Sequence, residues 1–305
     1  MLSIQNQDLE DIEIIMIDDF SLDKSLNLMK ELKSKDPRIV IYQNKENKGM
    51  LFTKSKGVLL AKGKYILLLD EDDIYVQKDA FLTMYNIAEK YNLDILKFGA
   101  LASEPKLKIK KLNTKKNHII FQPDLGNMMF YQTSNGEIKI NGGILFNLFI
   151  KKSIFIKSIK MIDEKYLNEK MNFNDDYMMF FLLARNAYNF LYIDRIFYIK
   201  LRGWNVTDKN IEFRYKEKFR DKNYNQCNSY LNFIEFILYK TKNSFHDKKI
   251  AFFSINKWLL NNFCRNYSKI IGKALNISKQ YLENKFIKED DKNQIRIFYN
   301  EKKMT

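Results

Sequence analysis

The stretch Tyr65-Ile66-Leu67-Leu68-Leu69-Asp70-Glu71-Asp72-Asp73 sets an unbroken apolar run directly before four acids. A short continuous apolar run reads as a strand buried on both faces, the kind found in parallel sheets. Open α/β sheets bind ligands beyond the carboxyl ends of such strands. Adjacent carboxylates repel one another, and a cation among them relieves that cost. The stretch therefore predicts a cation-assisted ligand site at the end of a buried strand.

Upstream, Ile12 to Ile17 reads as a second apolar strand. It ends in Asp18-Asp19-Phe20-Ser21, again acids at a strand's carboxyl end. Leu22, Leu26, Met29 and Leu32 recur at helical spacing, with Ser21 as N-cap and Pro37 as the stop. Arg38 to Tyr42 reads as a strand, 44–49 as a polar turn, and Met50 to Ala61 as a helix with Gly63 past its end. Downstream, Phe81, Met84, Tyr85, Ala88 and Tyr91 mark an amphipathic helix, and Ile95 to Phe98 another strand. This alternation predicts an α/β fold with a mostly parallel sheet flanked by helices.

Residues 104–117 are lysine-rich and predicted exposed. Residues 118–150 read as irregular β structure with a turn at Asn135-Gly136. Lys151 to Tyr166 and Tyr177 to Tyr188 read as helices, the second preceded by Asp175-Asp176. Residues 190–199 read as two short strands around Asp194-Arg195. From about residue 210, Cys227, Leu231, Ile234, Ile237 and Leu238 keep helical spacing, which predicts an all-helical C-terminal extension. The charged last twenty residues are expected to fray.

With 305 residues, 46% hydrophobic and 14% aromatic, the chain can bury a sizeable core. No apolar run is long enough to span a bilayer, and the N-terminus lacks the pattern of a signal peptide. Cys227 and Cys264 make no disulfide framework, so a reducing compartment is the default. The net charge of +15 favours an acidic partner. Because the lysines are spread through the chain, it argues only weakly for a polyanion binder.

The ordered set Ile17-Asp18-Asp19-Phe20-Ser21, Asn47-Lys48-Gly49, Gly63-Lys64-Tyr65-Ile66 and Leu69-Asp70-Glu71-Asp72-Asp73 resembles glycosyltransferase family 2, on the GT-A fold. Asn174-Asp175-Asp176-Tyr177 is similar to the family's second acidic motif, and Tyr198-Ile199-Lys200 to the tyrosine-rich strand after it. The resemblance implies an inverting transferase that moves a sugar from a nucleotide-diphosphate sugar, UDP-linked by preference, to an acceptor hydroxyl. It implies a divalent cation, Mn²⁺ or Mg²⁺, with Asp72 as direct ligand and Asp70 supporting it. Asp70 and Glu71 would also support the ribose. Asp18 and Asp19 would meet the base or ribose, and Lys54 the diphosphate. Asp176 would be the general base, with Asp175 as the alternative.

The implied organisation is a transferase domain over 1–208 and a helical extension over 209–305. The domain's nucleotide-sugar half would be 1–100 and its acceptor half 101–208. The acceptor is left open among a glycan, a lipid carrier and a protein. Nucleic acid is not expected as a partner. The implied location is cytoplasmic, with peripheral membrane contact allowed. The family's first strand has no counterpart here, because Ser3 to Gln7 matches the last turn of the helix that follows it. A truncated chain is therefore expected, and a non-catalytic GT-A-like scaffold is the alternative reading. A phosphatase of the haloacid-dehalogenase type also places Asp-x-Asp after an apolar strand. It requires Thr or Val two residues after the second acid, where this chain has Ile74.

Overall fold

The computed structural model describes residues 1–102, 119–121, 130–132, 138–140, 145–168 and 175–201, with separate helical positions between 224 and 280. The expected exposed segment 104–117, the Asn135-Gly136 turn, the boundary at 208/209 and the charged terminus lie outside the described residues. The chain divides into two compact units, Met1–Asp221 and Lys222–Thr305.

In the first unit a helical turn, α1 (Leu2–Gln5), precedes β1 (Ile14–Asp18). Then come α2 (Ser25–Lys35), β2 (Ile39–Gln43) and α3 (Met50–Leu60). Next are β3 (Tyr65–Ile66), β4 (Ile74–Tyr75), α4 (Ala80–Lys90) and β5 (Ile95–Ala102). Three short strands follow: β6 (Ile119–Phe121), β7 (Phe130–Gln132) and β8 (Ile138–Ile140). The unit continues with β9 (Leu148–Lys151), α5 (Lys152–Ile159), α6 (Glu164–Asn168), α7 (Asp175–Asn186) and β10 (Asn189–Lys200).

The fold is α/β, with helices flanking the strands. Its two longest ladders, β1 with β2 and β5 with β10, are parallel. β1 and β2 form a sheet of their own. The larger sheet runs β3-β9-β5-β10-β4, with β6 also on β10, and β7 pairs β8 separately. The Tyr65 stretch departs from its reading. Only Tyr65 and Ile66 pair, and they pair antiparallel, opposite Lys151 and Ile150. Tyr65 stacks on Phe149 at 4.6 Å, so its ring is held by the neighbouring strand. Leu67 and Leu69 pack against the core without a ladder partner among the described residues.

Three further expectations are corrected. Ser21 does not cap α2; its N–H donates to Asp18 Oδ1 at 3.2 Å, and the helix starts at Ser25. The expected helix from Lys151 breaks after Ile159, where Ile162 N–H donates back to the Ile159 carbonyl and buries Ile162. β10 is one strand rather than two, but its pairing with β5 shifts register between Tyr192 and Ile196. That irregularity falls at Asp194-Arg195, where a break between two strands was expected.

The core beneath the sheet is aromatic. Tyr75, Phe81, Phe98, Phe146, Phe197 and Tyr198 are buried together. Tyr198 stacks on Phe146 at 4.4 Å and meets Tyr75 edge-on at 5.3 Å. In the second unit the described positions are helical, and Leu231, Phe233, Ile234, Phe236 and Ile237 are buried. Cys227 is buried and disulfide-bonded. The expectation of two unpaired cysteines is thereby corrected at Cys227. Among the described residues, no helix is long and apolar enough to cross a membrane.

Candidate active site

The acidic turn between β3 and β4 is fastened from two sides. Tyr75 donates its hydroxyl to the Leu68 carbonyl at 3.0 Å, and Asp73 N–H donates to the Asp70 carbonyl at 3.2 Å. Asp73 itself faces inward. Its carboxylate accepts the Tyr198 hydroxyl and, at 2.9 Å, the Leu201 N–H. Asp73 is therefore a strut between the turn and the end of β10. Burial pushes its carboxyl above the ordinary range, and the Tyr198 hydrogen bond opposes that shift. The Tyr198 hydroxyl is held well above its ordinary value by burial and by this bond.

With Asp73 turned inward, its neighbours are left for other work. Glu71 is exposed. Asp72 Oδ2 is buried and, among the described residues, meets no hydrogen-bond donor. A buried carboxylate oxygen without a donor is costly unless a cation completes it. Asp70 faces Lys200 Nζ at 3.7 Å, and that ammonium also lies 3.9 Å from Asp73. Phe146, 5.1 Å below Lys200, supports the ammonium through its ring face.

α3 brings Lys54 to the start of α7. Its ammonium lies 2.8 Å from Asp175 Oδ2 and 2.9 Å from Asp176 Oδ1. Burial works against the charge on Lys54. The carboxylates of Asp176, Asp175 and Asp70 more than offset this and hold the ammonium above its ordinary value. Burial, then repulsion from Asp175, pushes the Asp176 carboxyl up to about 6, against the pull of Lys54. Asp175 is nearly closed off, whereas the Asp176 side chain keeps 31% exposure. Of the two, Asp176 is the carboxylate that an incoming group can reach.

Asp18 and Asp19 form a second cluster at the end of β1. Asp18 is buried and accepts from Ser21 N–H and from Gln43 Nε2 at 3.0 Å. Each of its oxygens takes one donor, so Asp18 holds the turn at the end of β1. Asp19 accepts from Asn44 Nδ2, Lys48 N and Gly49 N, each at 2.8 Å. It clamps the loop that opens α3. Gly49 has φ 85, a left-handed conformation that excludes most side chains. Phe20, beside Asp19, also has positive φ, at 65, and is 46% exposed. For a bulky residue such a conformation is strained.

The structure thus gathers Lys54, Asp175 and Asp176 in one contact set. Lys200 touches Asp70, and Asp70 acts electrostatically on Lys54. Among the described residues, no three His, Cys, Asp or Glu side chains stand close enough to cage a metal. Sequence reasoning missed Asn44, Lys200 and the Asp73–Tyr198 strut. Lys200 belongs to the Tyr198-Ile199-Lys200 motif, so the motif carried a signal, although its partner in the acidic turn did not show in one dimension.

The pattern of glycosyl transferase family 2 matches residues 1–168. Over 260 residues the chain is 26% identical to the cholesterol galactosyltransferase of Borreliella burgdorferi, covering 77% of this chain and 68% of that protein. It is 38% identical over 73 residues to an uncharacterized glycosyltransferase of Haemophilus influenzae. It is 36% identical over 96 residues to the poly(ribitol-phosphate) beta-glucosyltransferase of Bacillus spizizenii. The matched segments span 29% and 15% of those last two relatives. Among solved structures, S. aureus TarS 1-349 in complex with UDP-GlcNAc has a TM-score of 0.60 at 12% identity, covering 92% of this chain and 75% of that one. GalNAc-T7 with UDP, GalNAc and Mn2+ has a TM-score of 0.52 at 12% identity, covering 90% of this chain and 51% of that one. These likenesses give the fold as that of the GT-A transferases. On the match across more than half of its length, this chain belongs to glycosyl transferase family 2.

Proposed function

We propose that this protein transfers a sugar from a nucleotide-diphosphate sugar to an acceptor hydroxyl, with inversion at the anomeric carbon. The observation that carries the reading is the convergence of Lys54, Asp175 and Asp176 beside an acidic turn holding an unpartnered carboxylate oxygen. Family membership supports it, and so do UDP and UDP-GlcNAc in the solved neighbours.

In this reading Asp176 accepts the proton of the acceptor hydroxyl. The acceptor oxygen bonds to the anomeric carbon as the bond to the diphosphate oxygen breaks, and the electron pair leaves on the diphosphate. A carboxylate poised near pH 6 is ionised at neutral pH yet basic enough for the task. Lys200 lies near the acidic turn, where it can face the leaving diphosphate. Asp19 fixes the loop beside the nucleotide, with Asp18 bracing the strand end behind it.

The family implies a divalent cation, and the residues fit one. Asp72 Oδ2 is a hard oxygen awaiting a cation, and Asp70 stands two residues away. Two carboxylates with substrate phosphates are the usual Mg²⁺ arrangement, so the lack of a full protein cage is no obstacle. A bound Mn²⁺ or Mg²⁺ would neutralise the charge developing on the diphosphate.

Calorimetry of UDP binding, with and without Mn²⁺, tests this on the wild type and on Asp72→Ala. The expected result is metal-dependent binding in the wild type, weakened at least about tenfold in the folded variant. A folded wild type that binds none of UDP, GDP and dTDP, with or without metal, overturns the proposal.

A further inference from the structure

The family resemblance leads one to expect Lys54 on the diphosphate, yet its ammonium is committed to the acidic pair at the start of α7. We propose that Lys54 is the positioning residue of that pair, fixing Asp175 and holding Asp176 in place and ionised toward the acceptor. This rests on the reading of Asp176 as the base.

Geometry carries the argument. The two contacts of 2.8 and 2.9 Å place one ammonium between oxygens of two successive residues. Successive helical residues point about 100° apart, so without a bridging cation their carboxylates would diverge and repel. Lys54 is only 18% exposed and Asp175 only 6%, so water does little to screen that contact, whereas Asp176, at 31%, keeps its pairing closer to solvent. The helix that carries Lys54 is itself anchored. The loop that opens it is clamped by Asp19, and the helix packs against α5, α6 and α7. The ammonium therefore arrives from a rigid element.

The ionisable groups facing this set are few among those described. Asp176 meets Asp175, which repels it, and Lys54, which attracts it. Tyr177 on the same helix is raised by burial and then by the Asp176 charge, so it stays neutral. Asp70, from the acidic turn, acts on Lys54. Lys54 is the one cation among these neighbours, and removing it leaves Asp176 with burial and a like charge.

The test follows the Asp176 carboxyl by carbon-13 NMR on the full chain with labelled aspartate, assigned by comparison with Asp176→Asn. In Lys54→Met the titration midpoint should rise by about one pH unit or more, the effect of losing an opposite charge at this range. Lys54→Arg should hold the midpoint within about half a unit. The acid limb of UDP release from UDP-sugars, with Mn²⁺ present and water as acceptor, should move upward by the same interval in Lys54→Met. If Lys54→Met does not fold, Lys54→Gln makes the same measurement. An unmoved midpoint in a folded neutral variant overturns the inference. So does a rise in donor KM alone, with the acid limb in place, because that is the behaviour of a pure diphosphate ligand. Asp176→Asn that releases UDP as fast as the wild type overturns the base reading and this inference together, whereas an unmoved midpoint overturns this one alone.

Discussion

Asp72 and Asp73 are neighbours with opposite fates, and the difference comes from what each can reach. Asp73 finds two donors, Tyr198 and Leu201, both at the end of β10. Asp72 Oδ2 finds none among the described residues. One acid is consumed in holding the turn so that the other can stand unsatisfied. Tyr198→Phe should expose this division. It removes one donor from a buried carboxylate and leaves the ring packing on Phe146 intact. The expected loss is about 1–3 kcal/mol in urea unfolding, with weaker UDP binding in Mn²⁺ as the turn loosens. Unchanged stability would mean that Leu201 N–H alone satisfies Asp73. None of this was readable from the four-acid run. The run marked the site, but its members are told apart only by donors 125 and 128 residues downstream.

At the scale of elements, the helices and most strands were legible because apolar spacing follows burial. α3 and α4 lie within a residue or two of their expected limits. What spacing could not give was pairing direction. Tyr65 to Leu69 has the composition of a doubly buried parallel strand, yet it pairs antiparallel over two residues, because β9 is the strand that returns beside it. The site of the irregularity in β10 was legible as the polar pair Asp194-Arg195, though read as a break between two strands, whereas the fit of β10 to β5 was not legible. Gly99 explains that fit. A Cβ there would meet the Arg195 carbonyl oxygen at 2.9 Å and Ile196 Cγ1 at 3.2 Å, so the bulged backbone of β10 uses the space a side chain would fill. Gly99→Ala should push the two parallel strands apart where they carry Tyr198 and Lys200 toward the acidic turn. The expected cost is about 1–3 kcal/mol, read as a lower midpoint in urea. A variant as stable as the wild type would show that the bulge can move aside.

At the scale of the molecule, charge is the one global property that the sequence states outright, and it points two ways. A net +15 suits a polyanion binder as well as an enzyme for an anionic donor. Lys54 and Lys200 are spent inside the candidate site, against Asp175, Asp176 and Asp70. Salt dependence distinguishes these uses. A surface that neutralises six to ten phosphates loses about a thousand-fold or more in affinity between 50 and 200 mM salt. A diphosphate met by about two cations should lose only about tenfold over the same interval, by the same counterion argument. Calorimetric titration of UDP in Mn²⁺ across that range, beside a fluorescence titration with heparin, makes the comparison in one protein. The transferase reading expects the shallow UDP slope with heparin binding weak at 200 mM. Tight heparin binding that survives 200 mM salt, with no measurable affinity for UDP, would instead assign the excess charge to a polyanion surface. The half-buried Lys54 and Lys200 would then be parts of the fold alone.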